Sequence, residues 1–155
     1  MATSEWLVPA GPDFQIHCPQ QMDLSSGVIT TPVYISKDQI PCYGNINENV
    51  VLIVKEMHIM YIEATPGTTD ATYDFLISLG TNTSPSAMHD YTIPAGRSAG
   101  DVDIISQDDF SAESRLFKSG GVNWMQVRLN GGASGSGIVR VSLLVSQHYS
   151  EWKNA

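Results

Sequence analysis

The sequence predicts an all-β fold, an antiparallel two-sheet sandwich of about eight strands. Two observations lead to it. Residues alternate apolar and polar with a period of two in several separate segments, and turn-forming Gly, Pro, Asn and Ser clusters divide those segments throughout the chain. The clearest segment is Gly137–Tyr149, where Val139, Val141, Leu143, Val145 and Tyr149 share one face and Arg140, Ser142, Ser146 and His148 the other. Fully extended it would reach about 40 Å, roughly twice a usual strand.

Taken in order, the first dozen residues contain Pro9, Gly11 and Pro12 and predict an extended arm anchored through Trp6. Asp13–Cys18 predicts a short strand with Phe14, Ile16 and Cys18 aligned. Val28–Ile35 is β-branched, but Pro32 within it makes it an edge strand or a broken one. Lys37–Asn49 is loop chemistry. Val50–Ala64 is apolar at both odd and even positions and is interrupted at Lys55 and Glu56. Its β-branched start favours one long strand, bulged near Lys55, over the competing helix. A turn at Thr65–Thr72 leads to a strand with Tyr73, Phe75, Ile77 and Leu79 in line. The Gly80–Ala87 loop, a short strand near Met88–Ile93, the Pro94–Gly100 turn and a strand at Asp101–Ile105 follow. Ser106 before Asp108 and Asp109 resembles a helix N-cap with acids in the first turn, so a brief helix is expected over Phe110–Phe117. Asn123–Leu129 alternates again. Asn130-Gly131 is a favoured hairpin pair, which predicts the last two strands as antiparallel neighbours.

The domain division expected is an N-terminal arm at 1–12, a sandwich domain at 13–149 and a tail at 150–155. A chain of 155 residues is long enough to bury a core without staples. Charged residues make up only 15%, well under the usual quarter, and Ser, Thr, Asn, Gln and Gly replace them. Such a surface suits a protein that covers much of itself with partners, although β-sandwiches in general are rich in Ser, Thr and Gly. The balance of 8 basic against 16 acidic residues, with the basic ones scattered singly, speaks against direct contact with nucleic acid. Two cysteines, Cys18 and Cys42, make no disulfide framework and are expected as buried free thiols. The N-terminal residues lack the pattern of a secretory signal, and no apolar run is long enough to span a bilayer. Synthesis and folding in a cytoplasm are therefore expected.

Residues capable of chemistry form no catalytic pattern. His58 and Glu56 share a strand face and could hold an ion, but the ordinary reading is a solvated or interfacial strand face. Asp101, Asp103, Asp108 and Asp109 form the densest acidic segment; it lacks the Gly and terminal Glu of a calcium loop, so no cofactor is expected, with calcium between subunits left as an alternative. The glycine-rich Gly131–Gly137 segment lacks the Lys-Ser/Thr of a phosphate loop. Neither a nucleophile elbow nor a Cys/His signature is present, and an enzyme is not expected.

Long strands joined by long loops favour a jelly roll over the immunoglobulin type. With the low charge, the Ser/Thr/Gly/Pro-rich loops, the proline-punctuated arm and the final strand Ile138-Val-Arg-Val-Ser-Leu-Leu-Val145, the chain resembles a small single jelly-roll viral capsid protein over about Phe14–Tyr149. The resemblance is one of general character and has no diagnostic motif. It implies a virion component, capsid or capsid-decorating, that self-assembles as a homo-oligomer, with or without other capsid proteins. The arm departs from many such proteins, since Met1–Pro12 contains Glu5 and no Lys or Arg. Subunit contacts are expected on Trp6, on Asp101, Asp103, Asp108 and Asp109, on the Gly80–Ala87 loop, and on Trp152 in the tail. The alternative is a carbohydrate- or receptor-binding sandwich of the lectin or fibre-head kind; a sandwich-based hydrolase is a third.

Overall fold

Period-two alternation is satisfied when strands pair and one face of each is buried, and the described strands all pair. The computed structural model describes residues 3–9, 11–18, 21–24, 33–35, 50–65, 75–81, 88–110, 115–116, 125–131 and 136–154. They form eleven strands: β1 Thr3–Pro9, β2 Phe14–His17, β3 Met22–Asp23, β4 Val33–Ile35, β5 Val50–Tyr61, β6 Phe75–Thr81, β7 His89–Thr92, β8 Val102–Ser106, β9 Arg115–Leu116, β10 Met125–Gly131 and β11 Ile138–Asn154. A 3₁₀ turn, Gln107–Asp109, follows β8. The fold is all-β and every pairing is antiparallel, as expected.

Pairing divides the strands between two sheets. One has the order β1-β11-β5-β8, with β2 and β3 also on β11 and β9 also on β5; the other has the order β4-β10-β6-β7. The centre of the larger sheet is the β5–β11 ladder, which runs from Val50 opposite Tyr149 to Tyr61 opposite Val139. On β11 the expected face holds: Val139, Val141, Leu143 and Val145 are all fully buried. Each such burial stabilises the fold by about 1.5–3 kcal/mol.

β5 shows why apolar residues occupy both parities of its sequence. Leu144 pairs with Glu56 and Val145 with Val54, so Lys55 has no partner of its own and forms a bulge. Before the bulge Leu52 and Val54 are buried; after it the buried residues are Met57, Ile59 and Tyr61. One extra residue thus exchanges the faces, and Lys55 points to solvent where it pairs with Asp13 at 3.0 Å.

The core joins both sheets. Ile77 of β6 and Met88 and Ile93 at the ends of β7 pack with Ile16, Cys18, Met22 and Leu24 and with the buried faces of β5 and β11. β4 starts directly after Pro32 and lies at the edge of its sheet, as that proline requires.

Two expectations are corrected. In place of a helix over Phe110–Phe117 there is the 3₁₀ turn and then β9, whose Arg115 and Leu116 pair with Ile53 and Leu52. The β5 backbone beyond β8 offers those residues ladder bonds that a two-turn helix could not match. The last two strands are not neighbours either. Asn130-Gly131 stays inside β10 opposite Leu76 and Phe75, while both edges of β11 are occupied by β5 and by β1–β3. The expected features at Tyr73, the Gly80–Ala87 loop beyond Thr81, the first two residues of the Asn123–Leu129 segment and Cys42 lie outside the described residues.

The bulge makes a sharp prediction. Deleting Lys55 leaves every other β5 residue opposite its present partner, so the protein should fold with a stability within about 1 kcal/mol of the parent. Deleting His58 instead turns Glu56 inward and Met57 outward, and should cost about 4 kcal/mol or abolish folding. Urea denaturation of both variants checks this.

Candidate functional site

Most of the residues singled out in the sequence lie on two parts of the larger sheet, the ribbon that extends past one end of the β5–β11 ladder and β8 with the turn after it. At one end β11 runs past β5, and from Ser150 to Asn154 its partner is β1. Trp6 pairs with Glu151, Leu7 with Ser150, Val8 with Tyr149 and Glu5 with Trp152. The expected arm and tail are thus two halves of one antiparallel ribbon. Paired residues share a face, so Trp6, Val8 and Tyr149 lie on the core-side face and Leu7 on the other. Trp6 is 54% exposed, and its indole N–H donates to the Ser4 hydroxyl at 3.2 Å. The ribbon is tied to the body where the chain turns from β1 into β2. There the buried Gln147 amide donates to the Pro12 carbonyl at 3.0 Å. Gly11 sits against that amide so closely that a Cβ would collide with Gln147 Nε2.

At the other end lie β8 and its acids. Asp101 is exposed just before β8 and accepts the Ser98 backbone N–H at 2.9 Å. Asp108 and Asp109 are exposed in the 3₁₀ turn, and Asp109 accepts from the Ser106 hydroxyl at 3.4 Å. Asp103 differs from all three. It shares the core-side face of β8 with Ile105, and its side chain is 14% exposed. It accepts from the Tyr61 hydroxyl at 2.6 Å, the Tyr91 hydroxyl at 2.9 Å and Arg97 Nε at 3.2 Å, while Arg97 Nη2 lies 2.9 Å from its other oxygen.

This four-residue cluster was not anticipated. It joins β5 and β8 of one sheet to β7 of the other. Arg97 is held in place by Thr65, whose buried hydroxyl donates to the Pro94 carbonyl at 3.2 Å and accepts the Arg97 N–H at 2.8 Å. Gly100 turns the chain back into β8 with φ +92°, a conformation that glycine adopts without strain, and its N–H donates to the Tyr61 carbonyl at 2.8 Å. The available signal was an acid at a core-facing strand position, which demands a partner.

Burial pushes the Tyr61 phenol well above its usual value, and the Asp103 carboxylate, which accepts its proton, adds to the effect. Tyr91 is raised for the same reasons in the same order. Cys18 is a free, buried thiol, and burial pushes it up to about 12 against a smaller opposing effect of Arg140. A buried thiol kept neutral in this way is a core side chain and a poor nucleophile.

The outer face of the same sheet carries a polar ladder. His17 Nδ1 is 2.7 Å from the Ser142 hydroxyl, His58 Nε2 is 2.7 Å from Glu56, and Gln15 lies 3.5 Å from the other ring nitrogen of His58. The His58–Glu56 pair is thus a hydrogen-bonded pair. Among the described residues no three His, Cys, Asp or Glu side chains gather in a way that would hold a metal ion. Beyond this ladder, towards β8, the outer face becomes apolar. Met60 stands opposite Val102, and Ile104, 61% exposed, stands opposite His58.

No protein-family model matches the chain, and no curated protein does. Among solved structures it is similar to a decameric BFDV (circovirus) capsid protein, over 95% of this chain and 99% of that one, with 11% identity and a TM-score of 0.30. A likeness of that size is too slight to bear on function.

Two measurements test the site. Asp103→Ala strands the buried Tyr61 hydroxyl and should lower the unfolding free energy by about 3 kcal/mol, whereas Asp108→Ala should leave it unchanged within error. For pH, Cys18 and Tyr61 both have folded-state values above their unfolded values of 9.0 and 10.0. The native chain therefore keeps protons that the unfolded chain releases, and this stabilisation, complete at lower pH, is lost as pH rises above 9. Each group contributes a slope of about 1.4 kcal/mol per pH unit. The melting temperature should fall from pH 9 upward, and Cys18→Val should delay the fall to near pH 10.

Proposed function

We propose that this chain is a non-catalytic viral structural protein, a single jelly-roll capsid or capsid-decorating subunit that self-assembles in the virion. Supporting the jelly-roll reading is the strand order. With β1 set aside as the arm, β2 and β3 taken as one strand and β8 and β9 as another, eight strands distribute between the sheets as 1-8-3-6 and 2-7-4-5 in chain order. That is the order expected of two Greek keys folded together.

The single observation that carries the assembly reading is apolar exposure at the ends of a rigid body. Buried side chains of both sheets form one core, yet Trp6, Tyr149, Met60, Val102 and Ile104 remain substantially exposed. Scattered apolar surface is ordinary, but grouped large side chains on a weakly charged surface mark a place for protein contact. The scarcity of Lys and Arg supports a subunit that contacts other subunits and not nucleic acid. No described helix is long and apolar enough to cross a membrane. No metal or cofactor is called upon.

Light scattering of the purified protein over a concentration series, with negative-stain images of the same samples, tests the reading. Shells, rings, sheets or discrete oligomers are expected. A strict monomer at every concentration would contradict it and favour a glycan-binding module.

A further inference from the structure

Among the described residues, every large apolar side chain that remains exposed belongs to one of two groups. Trp6, Leu7, Val8 and Tyr149 form one, on the β1–β11 ribbon. Met60, Ile62, Val102 and Ile104 form the other, at the β5–β8 end of the sheet. Tyr149 stands opposite Val50 at one end of the β5–β11 ladder, and Met60 opposite Arg140 near the other. About nine residues separate the two positions along β11, which is about 30 Å. The groups therefore cannot cover one another within a single molecule.

We infer that the ribbon of one copy packs its core-side stripe, Trp6, Val8 and Tyr149, against the outer patch Met60, Val102 and Ile104 of a second copy. The contact is head to tail. It deepens the assembly reading, and rests on it, by naming which surfaces meet.

Three features point to this partner. First, from Ser150 to Asn154 β11 has β1 but not β5 beside it among the described residues, and a two-stranded ribbon is at best marginally stable in water. It gains from a surface to lie on, and Trp6, with Val8 and Tyr149 at its base, gives it an exposed apolar stripe. Second, the patch does not suit itself. Exposed Asp101 precedes it and exposed Asp108 and Asp109 follow it, so a two-fold pairing of patch with patch would set the acids of two copies against each other. Third, the area fits repetition better than a pair. The exposed parts of the two sets amount to roughly 600 Å² over both partners, well under the roughly 1,600 Å² of a standard stable complex. One contact is weak, but every copy offers one ribbon and one patch, so a closed ring or shell engages both on every subunit.

Complementation tests the pairing. Val8→Asp and, separately, Trp6→Ser alter the ribbon and leave the patch; Ile104→Asp alters the patch and leaves the ribbon. All three positions are exposed, so circular dichroism and melting temperature should stay near those of the parent. Each variant alone should need about tenfold or more higher concentration to assemble. Mixing Val8→Asp with Ile104→Asp should give a one-to-one heterodimer and nothing larger, because one ribbon and one patch remain intact. If the parent assembles and the variants assemble equally well, the pairing is wrong and the assembly reading stands. Homodimers of Ile104→Asp would mean that ribbons meet ribbons and would overturn the pairing. A monomeric parent would overturn both.

Discussion

The β5–β11 ladder is the constraint on which the rest of the molecule depends. Three other strands, β1, β2 and β3, attach to β11, and two more, β8 and β9, attach to β5. A strand buried on one face has its register fixed by its side chains, since a slip of one residue would turn its whole apolar set to solvent. β5 breaks that rule once, at Lys55, and the break has a consequence for the whole surface. Val54 and Met57 both face the core although they lie three residues apart, and from Glu56 onward the even positions face outward. Met60 and Ile62 are outside because of that exchange. Without the bulge, the apolar residues of one half of β5 would have nowhere to go but water.

The second constraint is electrostatic. Asp103 lies on the core side of β8 and would be costly there alone. Two tyrosine hydroxyls and an arginine satisfy it, and because Tyr91 belongs to the other sheet the cluster fastens the two sheets together. Its geometry is demanding: Thr65, Gly100 and the 94–97 turn all position one guanidinium and one phenol. The apolar patch of Val102 and Ile104 lies on the opposite face of that same strand. A strand held from behind presents its outer face as a fixed surface, which repeated weak contacts between copies require.

Much of this was legible in the sequence, and what was not has physical reasons. Alternation located β2, β7, β8 and β11, and Pro32 marked β4 as an edge. The exchange of apolar parity around Lys55 is the signature of a bulge and was readable as such. The Asn130-Gly131 hairpin failed because a turn-forming pair states a local preference only. Whether two strands become neighbours depends on which edges are free, and the edges of β11 were taken by strands far away in sequence. The helix expected at Phe110–Phe117 failed likewise: its capping signal was local, and the pairing of Arg115 and Leu116 with β5 was not. The Tyr61–Asp103 bond joins residues 42 apart, so one strand alone could not reveal it. Trp6 and the acids were identified as surface residues, but only the fold shows that the arm and the tail form one ribbon and that Asp103 is turned away from the surface.

The β5 bulge decides which side chains the molecule hides and which it offers to a neighbour, and its register can be observed directly. Backbone nuclear Overhauser contacts across the β5–β11 ladder should join Val54 to Val145 and Glu56 to Leu144, with Lys55 facing no residue of β11. A ladder in which Lys55 stands opposite Leu144 or Val145 would place Met60 inside or Val54 outside, and would contradict both the core and the surfaces described.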